Sequence, residues 1–158
     1  MPTDVAIFDR LASRMSKMPV VLFVDDEPSM RRVVQHALQL HGIEVHTAGG
    51  LADARAACAR QAFDGAIIDV WLDDGSGFEL FAWLQDQHPR VARNTIFVTG
   101  DIAANADLSR HVRALGRPVF VKPFDFDELE DTIRTWTRAS GGFPALTDSN
   151  AGRDIGAR

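Results

Sequence analysis

VVLFVDDEPSMRR, residues 20–32, decides the fold. Its five leading residues form an unbroken apolar run, as expected of a strand covered on both faces. The run stops at Asp25 and Asp26. Pro28 suits the first turn of a helix, and Met30, Val33, Val34, Ala37 and Leu38 then recur at helical spacing to about His41. The stretch therefore reads as one β-strand followed by one α-helix. The same unit recurs at 43–48 with 51–61, 66–68 with 78–84, 95–98 with 103–115, and 119–121 with 127–137. Gly42 sits where a helix-ending glycine belongs, and Asp125 with Glu128 resembles a capping pair for the last helix. Five strand-helix repeats predict an α/β fold around a parallel sheet.

Polar residues end these apolar runs in a consistent way. Asp25 and Asp26 follow VVLFV, Asp69 follows GAII, Thr99 follows TIFV and Lys122 follows PVFV. In an open parallel sheet all of these ends fall on one edge, where ligands bind. Carboxylates gathered there repel, by about 4 kcal/mol for a pair at ~4 Å and an effective dielectric of ~20, so they need a counter-charge. A hard divalent cation with oxygen ligands, Mg²⁺ or Mn²⁺, is the natural one. Lys122 adds a point positive charge and Thr99 a hydroxyl donor for phosphoryl oxygens. Asp69 is then the nucleophile of an acyl-phosphate chemistry. Taken singly, each of these residues is ordinary. A carboxylate at a strand end is often a helix cap, and a lone lysine is usually solvated. The ordered set carries the reading.

Composition limits the rest. The 158 residues are 46% hydrophobic, enough for one core, and the formal charge of −5, without a Lys/Arg run, argues against direct nucleic-acid binding. The single cysteine, Cys58, excludes an internal disulfide and reads as an inert thiol on an amphipathic helix. No stretch reaches membrane-spanning length and no continuous apolar leader opens the chain, so a cytoplasmic protein is expected. His36, His41 and His46 lack the spacing of a metal-ligating series.

The segments VVLFVDDEPSMRR, AIIDVWLDDGSG, TIFVTGD and PVFVKPFDFDEL resemble the receiver domain of bacterial two-component response regulators, in its stand-alone, CheY-like form. The resemblance covers most of the chain. It implies a doubly wound, flavodoxin-like sandwich with a five-stranded parallel sheet of order 2-1-3-4-5. Carried over by position, Asp69 is the phosphoacceptor, Asp26 a direct metal ligand, Asp25 a ligand acting through water, and the Trp71 carbonyl a further metal ligand. Thr99 and Lys122 complete the set, with a cis peptide implied before Pro123. A histidine kinase or histidine phosphotransfer protein is the implied donor. The face formed by the fourth helix, fifth strand and fifth helix, or the terminal extensions, would serve a homodimer. This chain departs from the family's habit at three places. Val119 stands where an aromatic is usual, with Phe120 beside it. Asp73 replaces a common proline, in an acidic loop expected to be mobile. Trp71 and Asp101 occupy positions that influence acyl-phosphate hydrolysis.

Residues 1–18 place Val5, Phe8, Leu11, Ala12 and Met15 on one face of a helix, which reads as an N-terminal extension. Residues 19–138 form the receiver unit, and 139–158, rich in Gly, Ser, Asn and Ala, read as a flexible tail. The expected function is a phosphorylation switch or relay intermediate whose only chemistry is self-catalysed gain and loss of phosphate. The flanking segments favour a stand-alone protein over a receiver portion of a hybrid kinase or larger regulator. An aspartate-nucleophile phosphatase of the haloacid dehalogenase type is the other alternative, although its nucleophile belongs on the first strand. A flavodoxin-like nucleotide binder would need a phosphate-cradling loop where DDEPS stands.

Overall fold

The computed structural model describes residues 18–100 and 106–138. The expected N-terminal extension, apart from Met18, and the expected tail lie outside them, as do Asp101 and the start of the fourth expected helix. The elements in chain order are β1 (Val20–Val24), α1 (Pro28–Leu40), β2 (Glu44–Ala48), α2 (Leu51–Arg60) and β3 (Gly65–Asp69). A pair of two-residue strands follows, β4 (Trp71–Leu72) and β5 (Gly75–Ser76). Then come α3 (Gly77–Gln87), α4 (Pro89–Arg93), β6 (Thr95–Thr99), α5 (Ala106–Ala114), β7 (Val119–Val121) and α6 (Phe126–Arg138).

The five long apolar runs pair in parallel in the order β2-β1-β3-β6-β7, which is the expected 2-1-3-4-5 arrangement. Strand alternation sends successive side chains into two separate cores. Val21, Phe23, Ile67 and Ile96 face α1 and α6, where they meet Leu38 and Ile133. Leu22, Val24, Ile68 and Phe97 face the other helices and meet Leu80 and Val112. Each fully shielded Leu, Ile or Phe contributes about 1.5–3 kcal/mol, and both faces of the sheet are closed this way.

The local signals act as anticipated where they exist. Pro28 opens α1, and Gly42, just past its end, has a φ of 74°. The Asp125 carboxylate accepts the Asp127 N–H at 2.7 Å and the Glu128 N–H at 3.4 Å, which caps α6. Cys58 is buried, and that burial pushes its thiol pKa up. Two features were not anticipated. Pro89 opens the short helix α4, in a stretch that had been assigned no element. The acidic loop after Asp69, which carried no expected strands, forms the β4–β5 hairpin with Asp73 and Asp74 at its turn.

Candidate functional site

The C-terminal ends of β1, β3, β6 and β7 converge on one edge of the sheet. Asp25 follows β1 and is fully shielded; its Oδ1 accepts the Glu27 N–H at 2.9 Å, and Arg31 donates to its carbonyl at 2.7 Å. Asp69 ends β3, the middle strand, and its Oδ1 accepts the Trp71 N–H at 3.0 Å. Lys122 follows β7, where its N–H donates to the Thr99 carbonyl at 2.8 Å. From that position its Nζ donates to Asp25 Oδ2 at 2.7 Å and to Asp69 Oδ2 at 2.8 Å. The peptide between Lys122 and Pro123 is cis.

The backbone fits closely around Asp69. α3 begins at Gly77, where a Cβ would stand 2.3 Å from the Asp69 carbonyl oxygen, so the helix can start this close to the strand only with glycine. Ser76 then accepts the Phe78 N–H at 3.1 Å and caps α3.

Electrostatics give the site its character. Asp25, Asp26 and Asp69 offer carboxylate oxygens within 4.8 Å of one another, and Lys122 binds two of the three. Burial raises the Asp69 pKa, and the Lys122 and Trp71 hydrogen bonds do not fully offset it. Burial likewise raises the pKa of Asp26, and the carboxylates of Asp73, Asp25 and Asp69 push it the same way. For Lys122 burial acts to lower the pKa, but the two carboxylates overcome it and the ammonium is held more firmly charged than usual. Thr99 is 1% exposed, and its hydroxyl has no hydrogen-bond partner among the described residues.

This donor set is all oxygen, tightly grouped and under-neutralised, and it fits a hard divalent cation. Asp25, Asp26 and Asp69 are the residues that would hold it. Asp25, Asp26, Asp69 and Lys122 thus come together as a group, with Thr99 ending β6 on the same sheet edge and Trp71, 59% exposed, donating its N–H to Asp69. Phe120 packs toward α1 and α6, whereas Val119 packs toward the opposite core, so Phe120 does not substitute for the missing aromatic.

Sequence reasoning noted Asp73 only as a departure in an acidic loop, and it gave no partners to Asp73, Asp74 or His41. Asp73 lies near enough to Asp26 for its carboxylate to help push the Asp26 pKa up. Asp74 accepts the Leu51 N–H at 2.9 Å and the Ala52 N–H at 3.3 Å, which ties the hairpin to the start of α2. The available signal was the Asp-Asp-Gly turn chemistry. His41, read as lacking metal-ligating spacing with His36 and His46, lies with Asp127 and Glu130 of α6. Its partners come from another helix, so histidine spacing held no clue to them.

Comparison with known proteins agrees with this geometry. Pseudomonas aeruginosa response regulator protein PilR is 32% identical over 119 residues, covering 74% of this chain and 26% of the relative. The probable transcriptional regulatory protein TcrX of Mycobacterium tuberculosis is 33% identical over 129 residues, covering 81% and 54%. The chain therefore spans between about a quarter and a half of the length of these curated relatives. Among solved structures, Vibrio cholerae chemotaxis protein CheY4 superposes with a TM-score of 0.66 at 31% identity, covering 75% of this chain and 98% of that one. Thermotoga maritima response regulator TrrA, solved in complex with Mg²⁺ and BeF, gives 0.62 at 27%, covering 75% and 99%. The sequence pattern of the response regulator receiver domain matches residues 21–134, and the chain belongs to that family.

Proposed function

We propose that the chain accepts a phosphoryl group on Asp69 from the phosphohistidine of a histidine kinase or phosphotransfer protein. The observation that carries this reading is the Lys122 ammonium bridging Asp25 and Asp69 beside Asp26. Of the two bridged carboxylates, Asp25 has no exposed side-chain surface whereas Asp69 keeps 10%, so Asp69 is the one a donor can reach. A carboxylate oxygen of Asp69 attacks phosphorus, the P–N bond to the donor imidazole breaks, and an acyl phosphate forms. Mg²⁺ or Mn²⁺, when bound, neutralises charge on the transferring group. Lys122 then passes its hydrogen bond from the carboxylate to a phosphoryl oxygen, and the unpartnered Thr99 hydroxyl supplies another donor. The chain acts on itself rather than turning over a separate substrate.

The output is a population shift in its surface. A groove of about 810 Å³ along β7 and α6, lined by Pro118, Phe120, Phe124, Glu128 and Thr132 among others, is the face proposed for a partner or a second copy. No helix among the described residues is long and apolar enough to cross a membrane. The haloacid dehalogenase alternative places its nucleophile on the first strand, whereas Asp69 ends the third.

A second reading is favoured by the length of the relatives: the chain is the receiver part of a larger regulator. Nucleic-acid contact would then belong to other parts of that protein. For both readings the test is intact mass after incubation with a small-molecule phosphodonor and Mg²⁺. Gain of one labile phosphoryl group is expected for the native chain and not for Asp69→Asn or a metal-free control. If neither the small donor nor a cognate kinase labels the native chain, phosphoryl acceptance is wrong.

A further inference from the structure

We propose that residues 1–17, which lie outside the described residues, dock as an amphipathic helix on a basic-rimmed pocket at the sheet edge opposite the carboxylates. The pocket is independent of the phosphoryl reading, because it lies at the other end of the strands. It measures about 390 Å³, and Cys58 of α2, Phe63 before β3 and Val91 of α4 form its floor, all three buried. The half-exposed His88 and the exposed Arg90 and Arg93 stand at its rim, and none of its lining residues carries a carboxylate. Arg93 forms no ion pair among the described residues. Its carbonyl accepts a hydrogen bond from Arg117, which brings another guanidinium beside it. In a chain of formal charge −5, this mouth is a local excess of positive charge over an apolar floor. It suits an occupant that offers apolar side chains bordered by acids.

Position selects residues 1–17 as that occupant. The Val20 N–H donates to Asp64 Oδ2 at 2.8 Å, and Arg90 of the rim donates to Asp64 Oδ1 at 3.0 Å. One carboxylate thus ties the entry of the chain into the sheet to the mouth of the pocket. At that entry Met18 leaves an apolar side chain 50% exposed. Val20 also packs against the core that contains Cys58, Phe63 and Val91. By contrast α6, from which residues 139–158 continue, sends Leu129, Ile133 and Trp136 into the core on the other face of the sheet. The N-terminal segment therefore meets the pocket on its own side, whereas the C-terminal one would have to cross the sheet edge. Sequence supplies the matching surface. At helical spacing Val5, Leu11 and Met15 fall within about 60° of Phe8, and so does Asp4, with Asp9 at about 100°. Arg10, Arg14 and Lys17 fall farther round, at about 120–180°. Acids therefore border the apolar stripe on the side that would face the arginines. A helix over residues 5–15 is about 16 Å long, and Ser16 with Lys17 can span about 7 Å more, enough to lay the stripe across the mouth.

Cys58, the only cysteine of the chain, is the reporter. The full chain is exposed to iodoacetamide under native conditions and alkylation is followed by intact mass. Phe8→Asp combined with Leu11→Asp should speed the labelling of Cys58 about tenfold, because the pocket loses its cover, while Lys17→Gln on the far side leaves the rate unchanged. A second arm keeps the cover in place. Phe8→Cys, Ser13→Cys on the far side and Ser149→Cys beyond α6 are each treated with a short bis-maleimide, and the linked peptides are mapped. Phe8→Cys should join Cys58 within one chain at least about fivefold faster than either of the others. An unchanged alkylation rate in the Phe8→Asp, Leu11→Asp chain overturns the proposal. So do equal cross-linking rates from all three positions, and a Phe8→Cys link formed only between two chains, which would make a second copy the occupant. Phosphoryl uptake on Asp69 should be the same in all of these variants. A failure of the docking therefore leaves the phosphoryl reading standing, and a native chain that takes up no phosphate leaves the docking standing.

Discussion

Asp64 and Asp69 stand at opposite ends of β3, and both are almost shielded, at 6% and 7% exposure. Asp64 accepts the Val20 N–H at 2.8 Å on one oxygen and Arg90 at 3.0 Å on the other. Its carbonyl also accepts from the Asn94 side-chain amide at 2.8 Å. The residue stitches the start of β1 to α4 and the beginning of β6, and its charge is matched. Asp69 shares a single ammonium with Asp25 and has Asp26 beside it. Burial alone therefore does not mark a functional carboxylate in this molecule. Unmatched charge does, because a fold has no structural reason to gather acids it cannot neutralise.

The comparison is broken most forcefully by removing the shared counter-charge. Lys122→Met leaves two shielded carboxylates facing each other, and a loss of about 3–5 kcal/mol is expected by chemical denaturation at neutral pH. The loss should shrink when Mg²⁺ saturates the site, since the ion replaces the missing charge, and also in acid as Asp69 takes up a proton. A loss that neither Mg²⁺ nor acid relieves would mean that Lys122 matters for packing and not for charge.

The two ends of β3 should answer substitution with opposite signs. Asp64→Ala strands the Val20 N–H and the Arg90 partner, at a cost of about 2 kcal/mol that Mg²⁺ does not change. Asp69→Asn keeps an oxygen for the Trp71 N–H but removes one like charge, so the metal-free chain should gain about 1 kcal/mol at neutral pH. The sign follows from linkage. The Asp69 pKa is raised in the folded state, so its ionisation lowers stability as pH climbs from the ordinary carboxylate range through the raised value. Below that window native chain and variant should converge. Denaturation midpoints measured for both variants, with and without Mg²⁺, decide it; a loss on Asp69→Asn would show that its bond to Lys122 outweighs the crowding.

Much of this contrast was legible in the sequence. The apolar runs announce strands buried on both faces, and a parallel sheet has only one edge for their polar ends, so Asp25, Asp26, Asp69, Thr99 and Lys122 were placed together before any coordinates. Asp64 was not singled out, because its partners Val20, Arg90 and Asn94 are fixed by tertiary pairing and leave no local pattern. The same holds for Asp73 against Asp26, two residues from different strand ends. The two-residue strands and α4 are too short to show a period, so HPRVARN read as connection although Val91 and Ala92 are buried. Position along a strand is a sequence property, whereas the partner across a gap is not.

His41 and α6 supply a third grouping of charge, and it behaves like Asp64. Glu130 is held by Arg134 Nε at 2.7 Å and by His41 Nδ1, and the Arg134 guanidinium also reaches the His41 carbonyl, which staples the end of α1 to α6. The Arg134 hydrogen bond leads in lowering the Glu130 pKa, with His41 adding to it, so the carboxylate is favoured in the folded state. Its stabilisation is therefore present above the ordinary glutamate range and lost as pH falls through the lowered folded value. Glu130→Gln should cost only about 0.5–1 kcal/mol near neutral pH, since the pairs are partly exposed. Denaturation followed from ~pH 7 down an acid series should show the native advantage at the start and its loss as pH falls through the lowered folded value. Asp69→Asn converges with the native chain earlier in the descent, below its raised value, and from the stabilised side. A matched carboxylate and a crowded one thus approach acid from opposite directions, and a Glu130→Gln deficit that persisted at low pH would remove this residue from the matched class.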